Sequence, residues 1–443
     1  MKLTLNKFYV KDIQFADESS YKDGVLYICK RELAEYLMED SNIAAVDFDI
    51  ARPGESVRII PIKDVIQPRY KQSGTGQIFP GYVGSVETVG NGETNVLETC
   101  CVATSGQIVA FQEGIIDMSG PGADFNSFSK MNILVPLITP VPDLHKHVHE
   151  ATVRIAGLKT AAYMAKQTLN LEPDETETFE HESILEMGVK YPNLPKVAYV
   201  DMVQCQGLMH DTYVYGLNVK GILSTMIDPL EILDGAIVSG NCAAPGHKNA
   251  TIHHENNPIV LDLLRRHGKD ICFVGVLLSN ESAMLNEKKR AAYYTSNLSE
   301  LLGVDGVIVS EEGGGNPETD LMLNCKFHEH KGIKTVLVTD EYCGRDGSSQ
   351  GLADVTPEAD AVVTNGNGNQ FVTLPKMDKV IGNQENVRII TGGNSESINA
   401  DGTVSVEIAA IMGSCCEMGY EHMMTKLRSV SYTHLTLPTK RIV

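Results

Sequence analysis

An α/β protein, with an N-terminal α+β, strand-rich region followed by a C-terminal doubly wound, mostly parallel sheet, is the fold class this 443-residue sequence predicts. Three observations point to it. From Lys196 onward, near-continuous apolar runs alternate with helical patterns, as in parallel strands covered on both faces. Before about residue 140 the apolar runs are short and punctuated by Gly and Pro, as in SGTGQIFPGYVG. Aliphatic residues dominate the 42% hydrophobic fraction, Trp is absent and Gly occurs 39 times, which suits layered strands and helices joined by tight turns.

Taken in order, the first strand candidates are LTLNKFYV, GVLYICK, AAVDFDI, VRIIPI, VLETCCVAT and IVAFQEGIIDM, with RELAEYLM the strong helix among them. Residues 143–169 have helical spacing, with Val153, Ala156, Leu158, Ala161 and Met164 on the apolar positions. The acidic stretch NLEPDETETFEHES reads as an exposed connection, so domains are expected at 1–190 and 191–429. The later strands are KVAYVDMV, GAIVSG, ICFVGVLLSN, GVIVSEEG, KTVLVTDEY and AVVTNG, with helical patterns at 257–267, 283–302 and 317–331. Ligands of parallel sheets collect at the carboxyl ends of the strands. That edge is expected to carry Gly240-Asn241-Cys242, Ser279-Asn280-Glu281, Glu311 to Asn316, Asp340-Glu341 and Asn365-Gly366-Asn367. There is no internal repeat. The tail VSYTHLTLPTKRIV, residues 430–443, continues no strand or helix register and resembles a translated sequencing-adaptor read-through, so no function is sought in it.

Composition narrows the function classes. A formal net charge of −20 opposes encounter with a nucleic-acid backbone or an anionic membrane. No apolar segment approaches the roughly 20 residues of a membrane span, and the N-terminus has no signal-peptide core, so a cytoplasmic protein is expected. Ten cysteines without a CxxC read as reduced thiols, and the vicinal pairs Cys100-Cys101 and Cys415-Cys416 as packing residues.

Four stretches hold candidate chemistry. In SEEGGGNPETD, Asn316 is placed to cap a helix starting at Pro317, and Gly314 and Gly315 allow backbone N–H groups to approach an anion; the alternative is an ordinary turn. In HKHVHE, His145 and His149 share a helical face, but a metal would need a third ligand, and a solvated helix start is the simpler reading. In GRDG, Arg345 either clamps a carboxylate or pairs with a neighbouring acid. The fourth is Asn241-Cys242, set between an apolar run and the polar stretch KNATIHHENNP. A thiol beside its own peptide bond can attack the preceding carbonyl, and elimination across its Cα–Cβ bond then breaks the chain and leaves a dehydroalanine that becomes a pyruvoyl group. His253 or His254 is the candidate base for the α-proton. The pyruvoyl carbonyl is an electrophile that forms a Schiff base with an amine. By spacing alone, Asn-Cys is far more often a structural pair.

The motifs SGNC…KNATIHHENNP, FQEGIIDMSGPGAD, YPNLPKVAYVDMVQCQGLMHDTYVYG and GVIVSEEGGGNPETDLMLNCK resemble the proprotein of component B of the glycine, sarcosine and betaine reductase complexes, over roughly residues 1–428. The resemblance implies cleavage between Asn241 and Cys242, with Cys242 becoming a covalent pyruvoyl cofactor. It implies an oxidoreductase of amino-acid-fermenting anaerobes that activates a small amine or amino-acid substrate for reductive deamination. A selenocysteine-containing subunit of component B would release the amine. Selenoprotein A and component C would yield acetyl phosphate, with electrons arriving indirectly through thioredoxin. The alternatives are a D-proline reductase-type pyruvoyl proprotein and a non-catalytic amino-acid-binding module.

Overall fold

The chain from Lys196 builds a mixed sheet whose apolar strands are buried on both faces. The structure is a computed structural model that describes residues 1–206, 209–240, 243–416, 418 and 428–429. Asn241, Cys242 and the tail 430–443 lie outside the described residues. Among the described residues the sheet has seven strands, in the order Thr225–Ile227, Cys272–Glu281, Lys196–Gln204, Gly306–Ser310, Lys334–Glu341, Val362–Asn367 and Arg428–Ser429. The five central strands are parallel, and the two edge strands are antiparallel to their neighbours.

Side chains of Lys196–Gln204 alternate between two cores. Tyr199 and Val203 pack with Ile259, Val260 and Leu263 of the helix Pro258–Arg266. Ala198, Val200 and Met202 pack with Leu321, Met322 and Cys325 of the helix Glu318–Glu329. This period of two, apolar on both sides, is what a doubly covered parallel strand requires. In chain order the five parallel strands lie 2-1-3-4-5, so strand order reverses between Lys196–Gln204 and Gly306–Ser310. A crevice outside the carboxyl ends of strands at such a reversal is the usual ligand position in open α/β sheets.

The N-terminal half forms three further sheets, a small one of Asp12–Phe15, Val25–Ile28 and Ser20–Lys22 and two larger ones. One runs Glu175–Glu180, Lys2–Tyr9, Gly92–Glu98, Arg69–Ser73; the other runs Gly114–Asp117, Val57–Ile66, Cys100–Gly106, Asn132–Pro140, Ile43–Ala51. The helix Lys146–Lys166 packs on Cys100–Gly106, Asn132–Pro140 and Arg69–Ser73. Packing continues across the boundary expected near residue 190. Lys379–Gly382 pairs in parallel with Val57–Ile66, and Leu3 and Leu5 share a core with Tyr199 and Phe273.

Three sequence expectations differ from the structure, each for a local reason. GAIVSG supplies only the strand Ile237–Val238, which pairs with Tyr213–Val214 in a small antiparallel sheet and not with the parallel one. Its apolar run follows directly on the helix Pro229–Leu233 and ends at Gly240, too short to cross a sheet. VLETCCVAT is two strands in two sheets, broken at Thr99, whose φ is +62°. The acidic connection contains the edge strand Glu175–Glu180, antiparallel to Lys2–Tyr9. Its acids meet Lys7 at 2.8 Å and Lys2 at 2.7 Å, so charge that reads as loop is the solvated face of an edge strand.

Candidate active site

The described residues on either side of Asn241-Cys242 are buried and tightly held. Upstream, a Cβ built on Gly240 would lie 1.8 Å from the carbonyl oxygen of Asp211, so only glycine lets the chain pass against the 210–212 loop. Ser239 N–H donates to Thr251 Oγ1 at 3.1 Å, and the Thr251 hydroxyl donates to Asp64 at 2.6 Å. Downstream, Ala243 faces Gly313, Gly246 N–H donates to Ala409 O at 2.8 Å, and Cys415 N–H donates to Gly246 O at 2.7 Å.

Glu312 sits between these flanks, two residues beyond the strand Gly306–Ser310 and at the reversal of strand order. Its main chain is fixed on both sides: the Gln204 side-chain amide donates to its carbonyl at 3.0 Å, and its own N–H donates to the Glu281 carboxylate at 2.8 Å. Its carboxylate accepts from Asn249 N–H at 3.1 Å and from the Thr212 hydroxyl at 3.3 Å.

Electrostatically this edge is an accumulation of buried acids. Burial pushes the carboxyls of Glu281 and Glu311 well above their usual range, and those of Glu318 and Asp320 up to about 7. The basic side chains that meet the group include Lys288, paired with Asp320, and His247, whose Nδ1 pairs with Asp340 and whose ring stacks on Tyr342 with centroids 4.4 Å apart. Asp201, on the central strand, is pushed from 3.8 up to about 8 by burial and then by the neighbouring Glu312 charge. The folded value exceeds the unfolded one, so the stability this acid contributes is complete below about pH 4 and is lost as pH rises towards 8. The variant Asp201→Asn is therefore expected to gain stability relative to the parent as pH rises through that window, by up to about 1.4 kcal/mol per pH unit. Denaturant titrations at pH 5 and pH 8 check this; an equal difference at both would refute it.

The other site candidates are distributed as follows. His253 and His254 are buried in the helix Thr251–Glu255. His253 Nδ1 accepts from Ala250 N–H at 3.1 Å and lies 3.3 Å from the Cys416 thiol, and its ring packs on Phe128. Burial lowers the two imidazoles to about 4 and about 3, so both are neutral, weak bases at pH 7. The Gly-rich loop is packed on protein: a Cβ on Gly314 would lie 2.2 Å from the Tyr342 ring, and Gly315 N–H donates to Glu318 at 2.8 Å. The helix starts at Glu318, not at Pro317, and Asn316 gives its first turn only a backbone carbonyl: Thr319 N–H donates to Asn316 O at 3.3 Å and Asp320 N–H to Pro317 O at 2.8 Å, while the Glu318 carboxylate takes the amides of Gly315, Ala353 and Asp354. The Asn316 carbonyl also accepts from Lys288 at 2.9 Å. Arg345 pairs with Glu407 at 2.9 Å and lies over the Phe371 ring, as in the reading in which it meets a neighbouring acid. His145 turns its side chain back onto His147 N–H as the helix cap. Among the described residues no group of His, Cys, Asp and Glu has the arrangement of a metal site.

Sequence reading placed Glu312 and Asp340 on the ligand-bearing edge but gave neither a role, and it did not single out Thr212, Asn249 or His247 as their partners. The signal for the first was a double glutamate directly after an apolar strand, a place where an unpaired carboxylate is costly.

Comparison with known proteins agrees with the motifs. Residues 1–426 match the family model described as glycine/sarcosine/betaine reductase component B subunits. The chain is 51% identical over 428 residues to the glycine reductase complex component B subunits alpha and beta of Acetoanaerobium sticklandii, covering 96% of this chain and 100% of that protein. It is 49% identical over 426 residues to the protein of the same description from Peptoclostridium acidaminophilum, with 96% and 100% covered. It is also 49% identical over 426 residues to the sarcosine reductase complex component B subunit alpha of that organism, with the same coverage. No solved structure matches the chain significantly. With this match along nearly its whole length, the chain belongs to the family of glycine/sarcosine/betaine reductase component B subunits.

Proposed function

We propose that the chain is the substrate-binding proprotein of component B of such a reductase, cut between Asn241 and Cys242 so that residue 242 carries a pyruvoyl group. One observation carries the reading. A single polypeptide aligns with the whole of a relative named as two subunits, alpha and beta, which is what one precursor cut once would give. The residues around the junction suit a backbone-derived group: Gly240, Ala243, Thr212 and Glu312 are buried beside the reversal of strand order, shielded from water. When present, the carbonyl of that group would withdraw electrons from the bond to be broken in an amine substrate. The chain's own side chains would hold the two flanks in place and exclude water, and the same burial raises the pKa values of the neighbouring carboxyls.

The sequence contains no selenocysteine, so the redox step falls to partners: a selenocysteine-containing subunit of component B, then selenoprotein A and component C, yielding an amine and acetyl phosphate with electrons from thioredoxin. Glycine and sarcosine both present an N–H for condensation with a carbonyl, as betaine does not. Among the described residues no helix is long and apolar enough to cross a membrane, and we place the protein in the cytoplasm. The test is intact-mass spectrometry of anaerobically purified protein followed by borohydride trapping of labelled glycine or sarcosine. Two polypeptides are expected, with label on the one that begins at residue 242. A single chain of 48.3 kDa with an unmodified thiol would refute the proposal.

A further inference from the structure

We propose that Glu312 is the positioning residue for maturation, a proposal that rests on the cleavage reading above. Cutting a peptide bond from within requires both flanks to be held while strain develops between them. Glu312 is the point where four separate pieces of chain converge. Its carboxylate takes the Thr212 hydroxyl at 3.3 Å, from the loop against which Gly240 is pressed, and the Asn249 N–H at 3.1 Å, from the segment that follows Ala243. Its own backbone is tied to Gln204 of the upstream piece at 3.0 Å and to Glu281 of the downstream piece at 2.8 Å. The following residue, Gly313, faces Ala243 itself. One side chain thus links a segment before the junction to one after it with two acceptor oxygens, one for each, on a backbone held by two further hydrogen bonds. It acts through Thr212 and Asn249.

The roles of shape and of two acceptors separate in Glu312→Met, which nearly keeps the length and volume but removes both acceptors; Glu312→Gln would not do, because its carbonyl can accept from Asn249 N–H while its amide donates to the Thr212 hydroxyl. Newly made protein is followed by the fraction cleaved against time on denaturing gels, at a temperature where circular dichroism shows every variant folded. The parent is expected to be cut to completion. Glu312→Met should be cut about tenfold more slowly or worse, as loss of a hydrogen bond to a charged group implies. Thr212→Val should slow cleavage by a smaller factor and Thr212→Ser should restore it. Adding Thr212→Val to Glu312→Met should cause no further slowing, because the bond it removes is already gone, whereas independent structural damage would add. Parent-like cleavage in Glu312→Met and Thr212→Val, or additive slowing in the double variant, overturns the proposal while leaving the cleavage reading intact. If Glu312→Met does not fold, Thr212→Val against Thr212→Ser decides: equal rates overturn the proposal. Absence of cleavage in the parent overturns both.

Discussion

Residues 1–241 and 242–443, expressed as separate polypeptides, are expected to be insoluble, whereas the cut protein should run as one particle on a native gel and as two bands under denaturing conditions. The reason is the strand order. Lys196–Gln204, upstream of the junction, is hydrogen-bonded along one edge to Cys272–Glu281 and along the other to Gly306–Ser310, both downstream. Alone, the upstream piece would present a long apolar strand with two unpaired edges, a template for aggregation. The downstream piece would lose the centre of its sheet. The interleaving is repeated elsewhere: Lys379–Gly382 lies on Val57–Ile66, and Ile60 and Ile115 share a core with Leu374, Val387 and Val404. Removing such partners exposes side chains worth about 1.5–3 kcal/mol each, against a total stability of only about 5–15 kcal/mol. Co-expression of the two pieces should recover some soluble particle, since the missing link is one peptide bond. Cooperative unfolding of either piece on its own, seen by circular dichroism, would contradict the strand order itself.

The second large effect is chemical. Cys242→Ala should leave a single band of full length, no pyruvoyl group and no reductase activity on reconstitution, because the methyl side chain has neither a nucleophile to attack the Asn241 carbonyl nor a leaving group to eliminate. The fold should persist. The flanks are also fixed by hydrogen bonds from Ser239 to Thr251, Thr251 to Asp64, Gly246 to Ala409 and Asn249 to Glu312, all between side chains and backbone that the substitution leaves in place. The thermal midpoint of the uncut variant should therefore stay within a few degrees of the parent, the range expected for a change of about 1 kcal/mol or less. Residual cleavage at the parent rate would move the junction elsewhere.

Much of the parallel sheet was legible because its strands carry their whole environment in their own composition: ICFVGVLLSN is apolar on both faces, and Cys272–Glu281 is buried along its length. Where a strand borrows its environment, local reading failed. Glu175–Glu180 is polar because only Phe179 faces inward, and Ile237–Val238 takes its partner from a loop strand that no periodicity marks. The site divided in the same way. Asn241-Cys242 could be singled out because the chemistry is between neighbours, although the two residues lie outside the described part. Glu312 was placed on the right edge but without a role, because its partners are Thr212, 100 residues earlier, and Asn249, 63 residues earlier. The two histidines were chosen for their ordinary basicity, which the fold removes by burying them.

The buried acids also change how the molecule meets its surroundings. A formal charge of −20 counts Asp201, Glu281 and Glu311 as full anions, yet burial raises all three carboxyls, Asp201 up to about 8, so that Asp201 mostly keeps its proton at neutral pH. The outward field is correspondingly weaker than an amino-acid tally suggests, so an acidic companion in the reductase assembly faces less repulsion on approach.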